Sequence, residues 1–219
     1  MRIGLLGGTF DPVHFGHLLL AEQCREQCGL DAVWFLPAGS PPHKRRDVTP
    51  GIERLEMLQL AIAGHEAFAV SDRELKREGT TYTVDTLTEL HAEQPDAELF
   101  FLIGADSLHD LPTWREPRRI LELATIVAVN RGDRPLPDLE EICAKLNVAD
   151  AAGFRADAGS VRHDQPRSRI QIVTMPGCDL SATDIRQRVA AGKSIRYMTP
   201  RAVEVYIQQR GLYRADRSV

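Results

Sequence analysis

Short, wholly apolar runs alternate regularly with longer amphipathic ones, and no other feature of the chain constrains its fold as much. Arg2–Gly7 reads as a buried strand, because Ile3, Leu5 and Leu6 leave little room for a solvated face. Gly16–Cys28 follows as a helix, with Leu18, Leu19, Ala21 and Cys24 at helical spacing and Gly29 as its stop. Further strands are predicted at Ala32–Pro37, Phe68–Ser71, Glu98–Ile103, Thr125–Val129 and Ile170–Met175. Helices are predicted at Ile52–Ala63 (apolar face Ile52, Leu55, Leu58, Ile62), Tyr82–Glu93 (Val84, Leu87, Leu90) and Arg118–Leu123. More follow at Asp138–Leu146, Ala182–Ala191 and Pro200–Gln209, with a short one opening at Gly104.

Strand–helix alternation implies right-handed crossovers and an α/β fold: a doubly wound, mostly parallel sheet, closed here by a small C-terminal helical segment. In such sheets ligands sit beyond the carboxyl ends of the strands. Two stretches break the pattern. Gly39–Pro50 holds several prolines and Lys44-Arg45-Arg46 and reads as a loop. Asp150–Arg169 has no period and reads as an exposed insertion or mobile loop. At 219 residues with no shift in composition, the expectation is one domain over 1–219, its closing helices within 180–214.

Charge narrows the partners. The 27 Lys and Arg against 31 Asp and Glu give a net charge of −4, which disfavours nucleic acid and anionic lipid but leaves room for a small anion met by local cations. No run approaches the ~20 apolar residues of a membrane helix. The chain reaches Thr9 and Asp11 too early for a secretory leader, so a cytoplasmic protein is expected. Cys24 and Cys28 share a helix face at a spacing that is not C-x-x-C. They read as inert helix positions, with a redox or metal role as the alternative.

The chemistry concentrates where the first strand meets the first helix, over Gly7-Gly8-Thr9-Phe10-Asp11-Pro12-Val13-His14-Phe15-Gly16-His17. Two glycines let backbone approach a ligand, and the free N–H groups of a helix start attract anions. His14 and His17 are three apart, so both face one point and can donate to a phosphate. The glycine spacing is neither G-x-G-x-x-G nor a P-loop; Gly192-Lys193-Ser194 has Gln187 where a P-loop has its leading glycine. A second segment, Leu180–Arg186, opens a late helix: Ser181 or Thr183 is a cap candidate, and Arg186 could project toward a polyphosphate. Taken alone it is an ordinary cap.

On these two segments the chain resembles the nucleotidyltransferase superfamily with an H-x-G-H signature and a late Ser/Thr-Arg motif. Within it, the chain looks like the bacterial nicotinate-mononucleotide adenylyltransferases. Pro37–Lys44 (P-A-G-S-P-P-H-K), Thr81–Leu87 (T-Y-T-V-D-T-L), Phe101–Ser107 (F-L-I-G-A-D-S) with Trp114, and Gly211-Leu212-Tyr213 carry that narrower likeness. It runs from residue 3 to about 214, apart from Asp150–Arg169. One departure is Asn130-Arg131-Gly132-Asp133, where the family commonly has Arg-Pro-Gly, which puts a ligand role for Arg131 in doubt.

The resemblance implies a Rossmann-like fold and the joining of ATP, carried with Mg²⁺, to nicotinate mononucleotide. The products would be the deamido dinucleotide and pyrophosphate. His14, His17, Arg186 and Lys44 are the implied catalytic groups. ATP would meet Gly7, Gly8, Thr9, Phe10, His17, Gly104, Asp106, Ser181, Thr183 and Arg186. The mononucleotide would meet Thr9, His43, Lys44, Asp106 and Trp114, with Thr81, Tyr82 and Thr83 offering N–H groups to its carboxylate. Bland readings stand beside these: a solvated cluster at Lys44, a helix cap at Asp106, core packing for Trp114. No dedicated protein metal site is expected, and self-association is left open. Competing readings are other members of the superfamily, a tRNA-synthetase-like fragment and a non-catalytic nucleotide sensor. Pantetheine-phosphate adenylyltransferases and glycerol-phosphate cytidylyltransferases are usually shorter. The negative charge and the lack of a K-M-S-K-S-like loop argue against RNA.

Overall fold

A computed structural model of the protein describes residues 1–39, 48–132, 139–146, 155–157, 160–162 and 169–215. The strands are β1 (Arg2–Gly8), β2 (Ala32–Pro37), β3 (Phe68–Val70), β4 (Glu98–Gly104), β5 (Thr125–Arg131), β6 (Arg155–Asp157), β7 (Ser160–Arg162) and β8 (Arg169–Met175). They form one sheet in the order β3-β2-β1-β4-β5-β8-β7-β6. Every pairing from β3 to β8 is parallel, and the β8–β7 and β7–β6 pairings are antiparallel.

The chain builds outward from β1 to β2 and β3, then returns to lay β4 on the other side of β1. The order therefore reverses between β1 and β4, and in open α/β sheets ligands bind beyond the carboxyl ends at such a point. The helices change face at the same point. Helices α1 (Phe15–Gln27) and α2 (Gly51–Ile62) bury Leu20, Ala21, Cys24, Met57 and Leu58 on one face, joined by Ile185 of α7 (Ala182–Ala190) and Val203 and Ile207 of α8 (Arg201–Arg210). The other face is covered by α4 (Thr83–Glu93), α5 (Pro117–Leu123) and α6 (Leu139–Lys145), through Val84, Leu87, Leu90, Ile120, Leu121 and Ile142. Alternate residues of the central strands feed the two cores: Ile3 and Leu5 one, Leu6 and Leu102 the other. Each buried side chain of this size contributes about 1.5–3 kcal/mol, so burying both faces makes the central strands the rigid part of the molecule.

The structure corrects several expectations. In α1 Ala21 and Cys24 are buried as expected, but Leu20 joins them, while Leu18 and Leu19 are only partly buried. In α2 Leu58 and Ile62 are buried as expected, but at the start of the helix Ile52 is 60% exposed and Arg54 only 2%. The reason is polar, since Arg54 reaches three backbone carbonyls that no apolar side chain could satisfy. A one-turn helix, α3 (Arg73–Lys76), was not anticipated. Within the stretch read as an insertion or loop, Arg155–Asp157 and Ser160–Arg162 pair onto the sheet edge through β8. Strands three residues long leave too little sequence for a period of two to register.

Candidate active site

The sequence places its least ordinary backbone at the end of β1. Gly8 is the last residue of the strand and aligns with Pro37 at the end of β2. Phe10 then adopts a left-handed conformation with φ of 51°, which an aromatic residue rarely accepts. Its ring is 2% exposed and packs against Phe35 at 5.9 Å, so core burial holds the strained residue in place. The loop delivers His14 to the N-cap position of α1.

His14 and His17 lie together, as the spacing implied. Their rings stack with centroids 3.7 Å apart and planes 28° from parallel. The ring of Phe10 meets His17 edge-on at 5.0 Å. His14 is 5% exposed and His17 is half-buried. The His14 backbone N–H donates to His17 Nδ1 at 3.2 Å, so in the neutral ring the proton belongs on Nε2. His17 thereby presents a donor away from its own helix. Gly16 has a steric role here, because a Cβ at that position would come within 3.0 Å of the His14 ring.

The late segment closes on the same corner. Ser181 caps α7, its Oγ accepting from the Asp184 N–H at 3.0 Å. Arg186, one turn in, donates from Nη1 to the Asp11 carbonyl at 2.6 Å and from Nη2 to Thr183 Oγ1 at 3.2 Å. A guanidinium from the far part of the chain thus touches the loop that follows Gly7 and Gly8. Ser181 and Thr183 are exposed beside it.

Across the switch point, Gly104 ends β4 and caps the 3₁₀ turn Ala105–Leu108. Asp106 lies inside that turn and is exposed, so the cap alternative fails: Gly104 occupies that position. Trp114 is half-buried, its ring edge-on to Phe101 at 6.1 Å, which gives the core-packing alternative one of its faces. Tyr82 is the N-cap of α4, which begins at Thr83. The guanidinium of Arg115 lies 4.7 Å over the Tyr82 ring, joining the chain after Trp114 to the start of α4. The hydroxyl of Thr81 is buried with no hydrogen-bond partner among the described residues. It faces Gly39, where an added Cβ would lie 3.5 Å from it and 2.2 Å from the Glu74 carbonyl. Gly39 is therefore the place where the chain beyond β2 brushes against the backbone of α3.

His43 and Lys44 fall outside the described residues. Arg131 is the last residue of β5. Cys24 and Cys28 are buried, and burial pushes both thiols up, Cys28 to about 11, so neither is a thiolate at neutral pH.

A cytidylyltransferase-like family model matches residues 5–188. A curated protein of Thermomicrobium roseum, named probable nicotinate-nucleotide adenylyltransferase, is 49% identical over 97% of this chain and 92% of its own length. Its counterpart in Thermus thermophilus, with the same name, is 45% identical over 98% of this chain and all of its own. The chain belongs to the nicotinate-nucleotide adenylyltransferase family. The fold is also that of a solved Plasmodium falciparum nicotinic acid mononucleotide adenylyltransferase complexed with NaAD. That structure superposes with a TM-score of 0.74 at 17% identity, covering 97% of both chains.

Several residues that shape this family member's site were not singled out by sequence reasoning. The Thr199 hydroxyl donates to the Val13 carbonyl at 2.8 Å and the Phe15 N–H to the Met198 carbonyl at 3.1 Å, bracketing His14 from both sides. Tyr213 donates its hydroxyl to Asp11 Oδ1 at 2.6 Å, and Asp11 Oδ2 accepts from the Thr49 N–H at 3.4 Å. Burial and the Asp11 carboxylate hold the Tyr213 hydroxyl well above its usual pKa, so it stays a donor. The Gly211-Leu212-Tyr213 ending was the available signal for Tyr213. For Arg54 there was only a cation between Glu53 and Leu55 in a helical stretch.

Proposed function

We propose that the protein transfers the adenylyl group of ATP to nicotinate mononucleotide, releasing pyrophosphate and forming the deamido dinucleotide. The observation that supports this most is the contact of Arg186 with the Asp11 carbonyl beside the stacked imidazoles. It gathers three cationic or donor groups at the carboxyl end of β1, where a triphosphate can be met from two sides.

The attacking phosphate of the mononucleotide has a second pKa of about 6 and is already ionised at neutral pH. No general base or covalent enzyme intermediate is needed. The requirement is in-line placement against the α-phosphorus and relief of charge repulsion. ATP enters as its magnesium complex, which supplies part of that relief. In this reading His17 donates Nε2–H to the ATP phosphates, with the stacked His14 beside it adding to the charge stabilisation. The backbone from Gly7 to Phe10 lies along the α-phosphate, and Ser181, Thr183 and Arg186 hold the leaving β,γ end. Lys44 and His43 serve the phosphates between the two substrates.

Gly104 and Asp106 receive the ATP side across the switch point, Asp106 accepting from ribose hydroxyls and facing the mononucleotide as well. Thr9 lies between the substrates. Thr81, Tyr82 and Thr83 meet the pyridine carboxylate at the start of α4, and the Thr81 hydroxyl, without a partner among the described residues, supports a polar ligand there. The half-buried Trp114 stacks on the pyridine ring. The protein works in the cytoplasm as one catalytic domain over 1–219.

Incubation with ATP, Mg²⁺ and both mononucleotides, followed by mass spectrometry, tests the reading. The expected product is the deamido dinucleotide, with kcat/KM for the acid at least about tenfold above that for the amide, because an amide leaves buried donors unpaired. Equal rates would remove the role given to Thr81–Thr83. Absence of pyrophosphate release would remove the activity.

A further inference from the structure

Among the described residues, Arg54 is the largest fully buried side chain. Its placement is costly twice over. Burial pushes its pKa down, with the Asp11 carboxylate offsetting the effect only in part. It also sits in the first turn of α2, where the helix dipole disfavours a cation. An apolar side chain of similar volume would avoid both costs.

What the guanidinium provides is a planar fork. Nη1 donates to the Thr9 carbonyl, Nη2 to the Ala38 carbonyl and Nε to the Thr49 carbonyl, each at 2.8 Å. These carbonyls belong to separate segments: the chain beyond β1, the chain beyond β2 and the approach to α2. A lysine ammonium is a single point and cannot span them in one plane. The Thr9–Phe10 peptide is planar and trans, so fixing the Thr9 carbonyl also fixes the Phe10 N–H, which points away from Arg54. Phe10 is the residue held at φ of 51°, a conformation its own chain would not select. The same loop is gripped from the other side by Arg186 on the Asp11 carbonyl and by Tyr213 on its carboxylate.

We propose that Arg54 is a positioning residue for adenylyl transfer: it sets the spacing between the chain beyond β1 and the chain beyond β2 and aims the Gly8–Phe10 backbone at the α-phosphate. The role rests on the adenylyltransferase reading above, and the test separates the two.

Arg54→Met and Arg54→Lys are compared with the wild type well below each melting temperature. Steady-state kinetics and amide hydrogen exchange are measured on all three. Arg54→Met is expected to lower kcat about 100-fold while KM for ATP moves about threefold or less, since a small misplacement costs the transition state more than ground-state binding. Arg54→Lys should recover less than about tenfold of that loss, because charge without the fork does not restore the geometry. Exchange should speed up at residues 8–11 and 48–49 and stay unchanged in α8.

Wild-type kcat in Arg54→Met with a lowered melting temperature would overturn the proposal, as would uniform loss of protection or failure of both variants to fold. Arg54 would then be a structural strut only. If the wild type forms no dinucleotide, the adenylyltransferase reading falls instead. The exchange pattern then still decides whether Arg54 orders residues 8–11.

Discussion

His17 carries the most specific expectation at the scale of one residue. Its Nδ1 accepts from the His14 N–H, which leaves Nε2–H as the outward donor. His17→Ala removes that donor and is expected to lower kcat roughly 100- to 1,000-fold, the usual cost of one donor aimed at transition-state charge. Glutamine can place an amide N–H near the Nε2 position, whereas the shorter asparagine cannot. His17→Gln should therefore retain more activity than His17→Asn in a pyrophosphate-release assay. Equal loss in both would show that the donor at this position is not what matters. The two histidines were legible in the sequence because their meeting follows from local spacing, whereas the steric role of Gly16 beside them was not. The three-residue step stacks the rings, and the missing Cβ gives them room. Arg54 was illegible for the opposite reason. Its partners lie 5, 16 and 45 positions away, and no local pattern tells a buried arginine from one that leaves the helix for solvent.

Among elements, α3 and α4 form the most charged contact described. Thr86 donates its hydroxyl to Glu74 Oε1 at 2.9 Å, and Arg77 donates to Thr86 Oγ1 at 3.1 Å and to Glu89 at 2.6 Å. Arg73 pairs with Glu93 at 3.0 Å. This network fixes the one-turn α3 against the helix whose N-terminus faces the proposed mononucleotide. Burial raises the Glu74 carboxyl despite the Thr86 hydroxyl and the two arginines, so the folded protein binds its proton more tightly than the unfolded chain does. The native state therefore holds the extra proton between the unfolded and folded pKa values, and Glu74 makes stability fall as pH rises through that window. Glu74→Gln keeps an acceptor for Thr86 and removes the titration. Its melting temperature relative to wild type should rise from pH 4 to pH 7; a constant difference would show that Glu74 ionises as it does in water. Element order was legible because strand and helix periods differ. The burial of Arg54 at the start of α2, the existence of α3 and the β6–β7 pairing were not. They depend on an ion network, on one buried guanidinium and on an edge three residues long.

For the molecule as a whole, the reversal of strand order between β1 and β4 puts the glycines ending β1 and Asp106 following β4 at the carboxyl ends of neighbouring strands. Alternation gave the parallel sheet and the carboxyl-end location of a site, but not the strand order. What the sequence could not reveal is how the closing segment braces the opening one, because such contacts have no local signature. Tyr213→Phe tests the brace. It removes the donor to the buried Asp11 carboxylate and should cost about 1–3 kcal/mol. At this size that is a fall in melting temperature of about 2–4 °C per kcal/mol by calorimetry. An unchanged melting temperature would mean that Asp11 finds another partner at no cost.

The brace also has a consequence for biosynthesis. Asp11 meets Arg186 across 175 positions and Tyr213 across 202. A ribosome that has made both imidazoles has made no working enzyme until nearly two hundred further codons are read. Prematurely released fragments should thus be unable to consume ATP, and competence should arrive in a single late step of synthesis.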